Sequence, residues 1–163
     1  AHLDALAAAQ QLALTFEACG QFGQAEDLHR EALAGRVAQL GPSHRDTLQS
    51  VNNLAVLLSG LGRHDEAEGL HRQAAQGFAA ALGPGHPCAL RSVGNLGDAL
   101  QLLGRPREAA DQHRASLQGW TALHGPFHDE AVRSAVRLGA ALEALGEEAE
   151  AEALYRLTLS AGE

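Results

Sequence analysis

Between Asp46 and Leu61, the residues Leu48, Val51, Leu54, Ala55 and Leu58 stand at offsets of three, six, seven and ten, with polar positions between them. That spacing lays one apolar stripe along a helix. Gly60-Leu61-Gly62 then interrupts the pattern, because glycine reaches the left-handed conformation that ends helices. Beyond it, Ala67, Leu70, His71, Ala74 and Phe78 recur at offsets of three, four, seven and eleven and predict a second amphipathic helix. This helix is expected to stop before Leu82-Gly83-Pro84, since proline disfavours helix at the residue preceding it.

The same two-helix pattern returns every 42 residues. Gly20, Gly62, Gly104 and Gly146 share one place in it, and Gly41-Pro42, Gly83-Pro84 and Gly125-Pro126 another. So do Ala25, Ala67, Ala109 and Ala151, then His2, His44, His86 and His128, then Arg30, Arg72, Arg114 and Arg156. A period of this length marks a stacked array in which each unit completes its core with its neighbours. The expected class is all-α: a single array over 1–163, with repeats at about 1–42, 43–84, 85–126 and 127–163. Pro106 falls near the start of the third copy's second helix, where its missing amide costs nothing. Ala13, Ala55, Gly97 and Gly139 on the first helices, and the alanines at 25, 67, 109 and 151 on the second, let each antiparallel pair approach closely. The chain begins at Ala1, already in register, so excision from a longer protein is expected.

The segment Leu82-Gly83-Pro84-Gly85-His86-Pro87 resembles kinesin-light-chain-type tetratricopeptide repeats. So do Thr47-Leu48, Asn52-Asn53-Leu54-Ala55-Val56-Leu57-Leu58 and the opening Gly62-Arg63-His64-Asp65-Glu66-Ala67-Glu68. The resemblance covers essentially the whole chain. It implies a right-handed superhelical solenoid of four antiparallel helix pairs, whose first helices line a concave groove. Such repeats serve in motor-cargo adaptors, ciliary scaffolds and sensor arrays behind NTPase domains. The fourth copy departs from the pattern by lacking the Asn pair and the Arg63-like residue, and the first has Ala9-Gln10-Gln11 in place of Val51-Asn52-Asn53.

Asn53 and Asn95 then face the groove, with Gln11 and Arg137 in the same place in the outer copies. Amide groups there suit a peptide backbone. Arg91 and Arg133 share one position and Arg137 lies one turn beyond Arg133, so a basic patch is expected on the last two repeats. Guanidinium forks suit carboxylates, which points to an acidic peptide. The competing expectation is that these arginines pair with Glu130 and Asp98. Gln49, Asn52 and Asp98 complete the candidate groove. Asn95, Arg133 and Arg137 resemble part of the chaperone-tail clamp of other tetratricopeptide proteins, whose remaining positions fall on the unlike Asn52 and Val56.

Composition narrows the partner class. A net charge of -8 opposes nonspecific binding to nucleic acid or an anionic membrane, since both need a basic surface. No signal peptide or membrane-length apolar run is evident, so a cytoplasmic location is expected. Cys19 and Cys88 have no metal or disulfide spacing and read as reduced thiols. Equivalent histidines cannot share an ion, because stacked helices lie on the order of 10 Å apart and zinc ligands at about 2 Å. His44, His86 and His128 instead satisfy loop backbone, and His29, His71 and His113, with Tyr155 in the last copy, pack as flat rings. Phe78 and Trp120 fill gaps between repeats.

Phosphate-loop, nucleophile-elbow and zinc-protease patterns are all missing. The run Glu147-Glu148-Ala149-Glu150-Ala151-Glu152 opens a helix, where carboxylates meet the positive end of its dipole. No catalytic residue, metal or cofactor is expected. The last helix, about Glu148 to Ser160, is expected to expose Leu154, Leu157 and Leu159 with no polar cap after them, which makes self-association through that end the rival to groove binding. The reading is a noncatalytic scaffold for a peptide, with a structural spacer or the sensor region of a signalling NTPase as alternatives.

Overall fold

The computed structural model describes residues 3–159; His2 and Ser160 lie outside them. Among the described residues every regular element is helical. The first helices are α1 (Leu3–Ala18), α3 (Arg45–Gly60), α5 (Pro87–Leu102) and α7 (Asp129–Ala144). The second helices are α2 (Phe22–Leu40), α4 (His64–Leu82), α6 (Pro106–His124) and α8 (Glu148–Leu159). Each helix packs on the next in chain order, giving four stacked pairs. None is long and apolar enough to cross a membrane.

Local chemistry sets the boundaries. Nδ1 of His44, His86 and His128 accepts from the backbone amides of Asp46, Cys88 and Glu130 at 3.2, 3.1 and 3.3 Å. Histidine therefore occupies the N-cap place usually held by a short oxygen side chain. Pro87 and Pro106 open α5 and α6. At the end of α3, the Arg63 amide bonds to Leu58 O at 2.9 Å and the Gly62 amide to Ser59 O at 3.1 Å. This closing motif needs a positive φ, 78° at Gly62.

Two boundaries differ from expectation. Gly60 remains helical, and the break falls one residue later on Leu61-Gly62. Leu82 is the last residue of α4, because the restriction imposed by Pro84 acts on Gly83, which caps the helix.

The alanines at 13, 25, 55, 67 and 109 are 0% exposed, as close helix approach requires. Gly97 and Gly139 take this further. A Cβ on Gly97 would stand 2.5 Å from the His113 ring, and one on Gly139 2.5 Å from Tyr155. A second contact of this kind went unread in the sequence: Gly35, Gly77 and Gly119 on the second helices receive Leu6, Leu48 and Leu90 of their own repeats.

Phe78 and Trp120 are buried between successive repeats. Phe78 packs with Leu48, Val51, Ala74, Cys88 and Ala89, and Trp120 with Leu90 and Ala131. The first junction is built differently. Arg36 takes the aromatic place, and its Nη1 donates to Ser50 Oγ at 2.6 Å, to Asp46 O at 3.2 Å and to Gln10 Oε1.

Across the second helices runs a ladder of ion pairs. Arg63 bridges Glu26 of the preceding repeat and Glu66 of its own, both at 2.6 Å. Arg105 does the same with Glu68 at 3.8 Å and Glu108 at 2.6 Å. At the junction of the third and fourth repeats Glu147 stands in the arginine's place and Ala110 in that of the earlier glutamate, so Arg114 reaches forward to Glu150 at 3.1 Å instead.

Candidate binding groove

Side chains three or four residues apart on a helix share a face. On the first helices this places Gln49, Arg91 and Arg133 beside Gln11, Asn53, Asn95 and Arg137, and next to them Val56 and Asp98. Gln11, Arg91 and Arg133 are exposed, whereas Gln49, Asn53, Asn95, Asp98 and Arg137 are partly so. Asn52 is buried, with 8% of its surface exposed.

These groups are largely engaged with one another. Gln49 Nε2 donates to Asn53 Oδ1 at 2.8 Å, and Asn95 Nδ2 donates to Asn52 Oδ1 at 3.2 Å, joining the second repeat to the third. Arg137 meets Asp98 at 3.1 Å and Arg133 meets Glu130 at 3.1 Å, the pairings weighed against a free basic patch. The reasons are geometric. Glu130 lies one helical turn before Arg133, and Asp98 faces Arg137 across the junction between repeats. Arg91 is different. Among the described residues it meets no carboxylate, and its one hydrogen-bond partner is Cys88 Sγ, 3.9 Å from Nη2.

Beneath the groove lies a row of rings from the second helices. His29, His71 and His113 are 1 to 2% exposed, and Tyr155 holds the same place in the fourth repeat. His29 Nε2 lies 2.6 Å from Glu17 Oε1, and His113 Nε2 3.7 Å from Asp98 Oδ1. Burial raises Tyr155 above the usual phenol range, with the hydrogen-bonded Glu143 adding to it. Burial lowers His113 to about 4, assisted by Arg137. Burial alone lowers His71 to about 4. Asp98 is raised by burial, and Arg137 offsets part of that rise. A cavity of about 140 Å³ opens over His71, lined by Val56, Ser59, Asn95, Asp98 and Leu102.

At the far end, Leu154 is half-buried and packs on the last core cluster, leaving Leu157 and Leu159 exposed at 49% and 75%. Cys19 and Cys88 are free thiols, the first exposed and the second buried. Among the described residues no three His, Cys, Asp or Glu side chains converge as a metal site would require.

Stacked helix pairs with a polar face along the first helices define a helical-repeat scaffold of the protein-interaction class. A tetratricopeptide repeat family model matches residues 4–79 and 52–118, more than half of the chain, and the chain belongs to that family. It is a tetratricopeptide array of the kinesin light chain type. The structure of a putative kinesin light chain from Podosopora anserina, with nearly identical TPR-like repeats, superposes with a TM-score of 0.84 at 27% identity, over 96% of this chain and 74% of that one. BtubC (BKLC) from P. vanneervenii gives a TM-score of 0.89 at 22% identity, over 96% of this chain. The present chain spans 62% of its length. MamA AMB-1 shares the fold at a TM-score of 0.67 and 19% identity. No curated protein matches the sequence significantly.

Proposed function

We propose that the chain is a noncatalytic scaffold that holds a peptide segment in the groove, with carboxylates of that segment meeting Arg91. The observation that carries this is Arg91 itself, an exposed guanidinium on the groove face with no carboxylate partner among the described residues. Arg133 and Arg137 extend the basic surface by exchanging Glu130 and Asp98 for ligand carboxylates. Asn53, Gln49 and Gln11 supply amide donors and acceptors to the peptide backbone, and Asn52 acts from below by orienting Asn95. The partner is a protein or peptide rather than a nucleic acid or a membrane, and the place of action is the cytoplasm.

Binding of acidic, neutral and basic fluorescent peptides at low and high salt tests this. Acidic peptides should be captured selectively, with affinity falling as salt rises and lost in Arg91→Glu with Arg133→Glu and Arg137→Glu. Equal capture by the triple variant would sink the groove reading. The exposed Leu157 and Leu159 favour a second reading, self-association through the end of α8. Concentration-dependent association lost in Leu157→Glu with Leu159→Glu is its signature.

A further inference from the structure

Comparison of the four repeats isolates one ring. Helix α1 supplies Glu17 to His29, α5 supplies Asp98 to His113, and α7 supplies Glu143 to Tyr155. In the second repeat Ser59 stands in the place of Glu17 and Val56 in that of Asp98, so α3 offers His71 no carboxylate. His71 is 2% exposed, and its Nδ1 is buried without a partner. Among the described residues no protein group hydrogen-bonds its Nε2 either.

We propose that the cavity over His71 is a carboxamide-anchoring subsite that seats a Gln or Asn side chain of the segment bound in the groove. This rests on the groove reading above. A neutral imidazole carries one proton, and a buried lone pair is tolerated more readily than a buried unpaired N–H. The proton therefore sits on Nε2 and is offered to the cavity.

Asn95 and Asp98 in the cavity's lining bring acceptors. Asn95 gives one Nδ2 hydrogen to Asn52, its Oδ1 has no hydrogen-bond partner among the described residues, and Asp98 binds Arg137 through Oδ2. A group entering here must accept from His71 and donate to these acceptors. A carboxylate would accept from His71 and face the charge of Asp98, whereas an ammonium could donate to Asp98 and leave His71 unmet. A primary carboxamide does both. Val56 and Leu102, 48% and 59% exposed, flank the mouth where its methylenes would lie. At about 140 Å³ the cavity is below the roughly 300 to 1,000 Å³ of small-molecule sites and fits one side chain.

The test follows the His71 ring resonances of the intact protein by NMR during titration with N-acetyl-glutamine methylamide and its glutamate and leucine counterparts. The glutamine probe should shift them saturably, the glutamate probe about tenfold more weakly at neutral pH, and the leucine probe not at all. Ser59→Glu, which places in the second repeat the carboxylate that Glu17 supplies in the first, should occupy Nε2 from within. It should abolish the response while circular dichroism and thermal melting stay native. Equal response to glutamate, or a glutamine response that survives in folded Ser59→Glu, overturns the subsite. Capture of acidic peptides with no saturable glutamine response overturns the subsite and leaves the groove. A glutamine response without peptide capture overturns the groove reading and leaves the chemistry of the cavity.

Discussion

Replacing Gly77 with alanine sets two effects of opposite sign against each other. In a helix interior the change gains roughly 1 kcal/mol, because glycine loses more backbone freedom on folding. Against this, the new Cβ would overlap Leu48 Cδ2 and stand 3.0 Å from Cδ1 and 3.2 Å from Cγ. Leu48 cannot retreat, since it is 1% exposed and enclosed by Val51, Ala74, Phe78, Cys88 and Ala89. Overpacking of this kind costs about 1 to 3 kcal/mol, so Gly77→Ala should be neutral to about 2 kcal/mol destabilising. Gly69 provides the internal control. It lies on the same α4, and a Cβ there meets nothing within 4 Å. Gly69→Ala should stabilise by about 1 kcal/mol, and the difference between the two variants isolates the packing cost. Urea denaturation followed by circular dichroism gives both midpoints. In a Leu48→Ala background, Gly77→Ala should become stabilising, because the added methyl then enters vacated space. Equal stabilisation by Gly77→Ala and Gly69→Ala in the parent protein would refute the account of how α3 and α4 meet.

Stability should also fall on mild acidification. Unfolded histidine takes its proton near pH 6.5, but His71 and His113 resist it until about 4, so the unfolded chain gains protons first as the pH drops through that window. The loss is on the order of 3 kcal/mol per ring by pH 4. Urea midpoints from pH 7 to 4 should decline, with a shallower slope in His71→Phe, and a flat profile would count against the buried neutral rings. At the first junction, Arg36→Ala removes the guanidinium shared by Gln10, Ser50 and the Asp46 carbonyl and leaves only the longer Ser50 bonds to Gln10 at 3.5 Å and Asp46 O at 3.3 Å, and should cost about 1 to 3 kcal/mol and accelerate hydrogen exchange in α1 and α2 ahead of α5 to α7. Uniform acceleration along the chain would contradict the separate character of that junction.

The fold was legible because it depends on features repeated in register. Glycine at 20, 62, 104 and 146, alanine at 25, 67, 109 and 151, and histidine at 44, 86 and 128 each perform one local task several times. The groove was less legible because its chemistry depends on what is not repeated. Asp98 replaces Leu14 and Val56 of the earlier copies and takes Arg137 as its partner, a pairing that the sequence pattern leaves as one of two alternatives because it crosses from one helix to another. Arg36 shares a register position with Phe78 and Trp120, yet only the placement of Gln10 and Ser50 explains a guanidinium there. The pairing of Gly77 with Leu48 did leave a trace, the glycines at 35, 77 and 119, which could have been matched to the leucines at 6, 48 and 90. Leu154 was misplaced among exposed residues because the last helix still covers its own repeat's core.

The ladder along the second helices also restricts how such an array can be rearranged by recombination. If the fourth unit were moved to follow the second, Glu147 would arrive where Arg105 now meets Glu68, and two carboxylates would face each other. If the third were duplicated, its second copy would set an arginine against Ala110, with no acid to receive it. Units with interchangeable backbones thus carry a fixed order in their surface charge, and insertions or deletions of whole repeats are tolerated at some junctions and penalised at others.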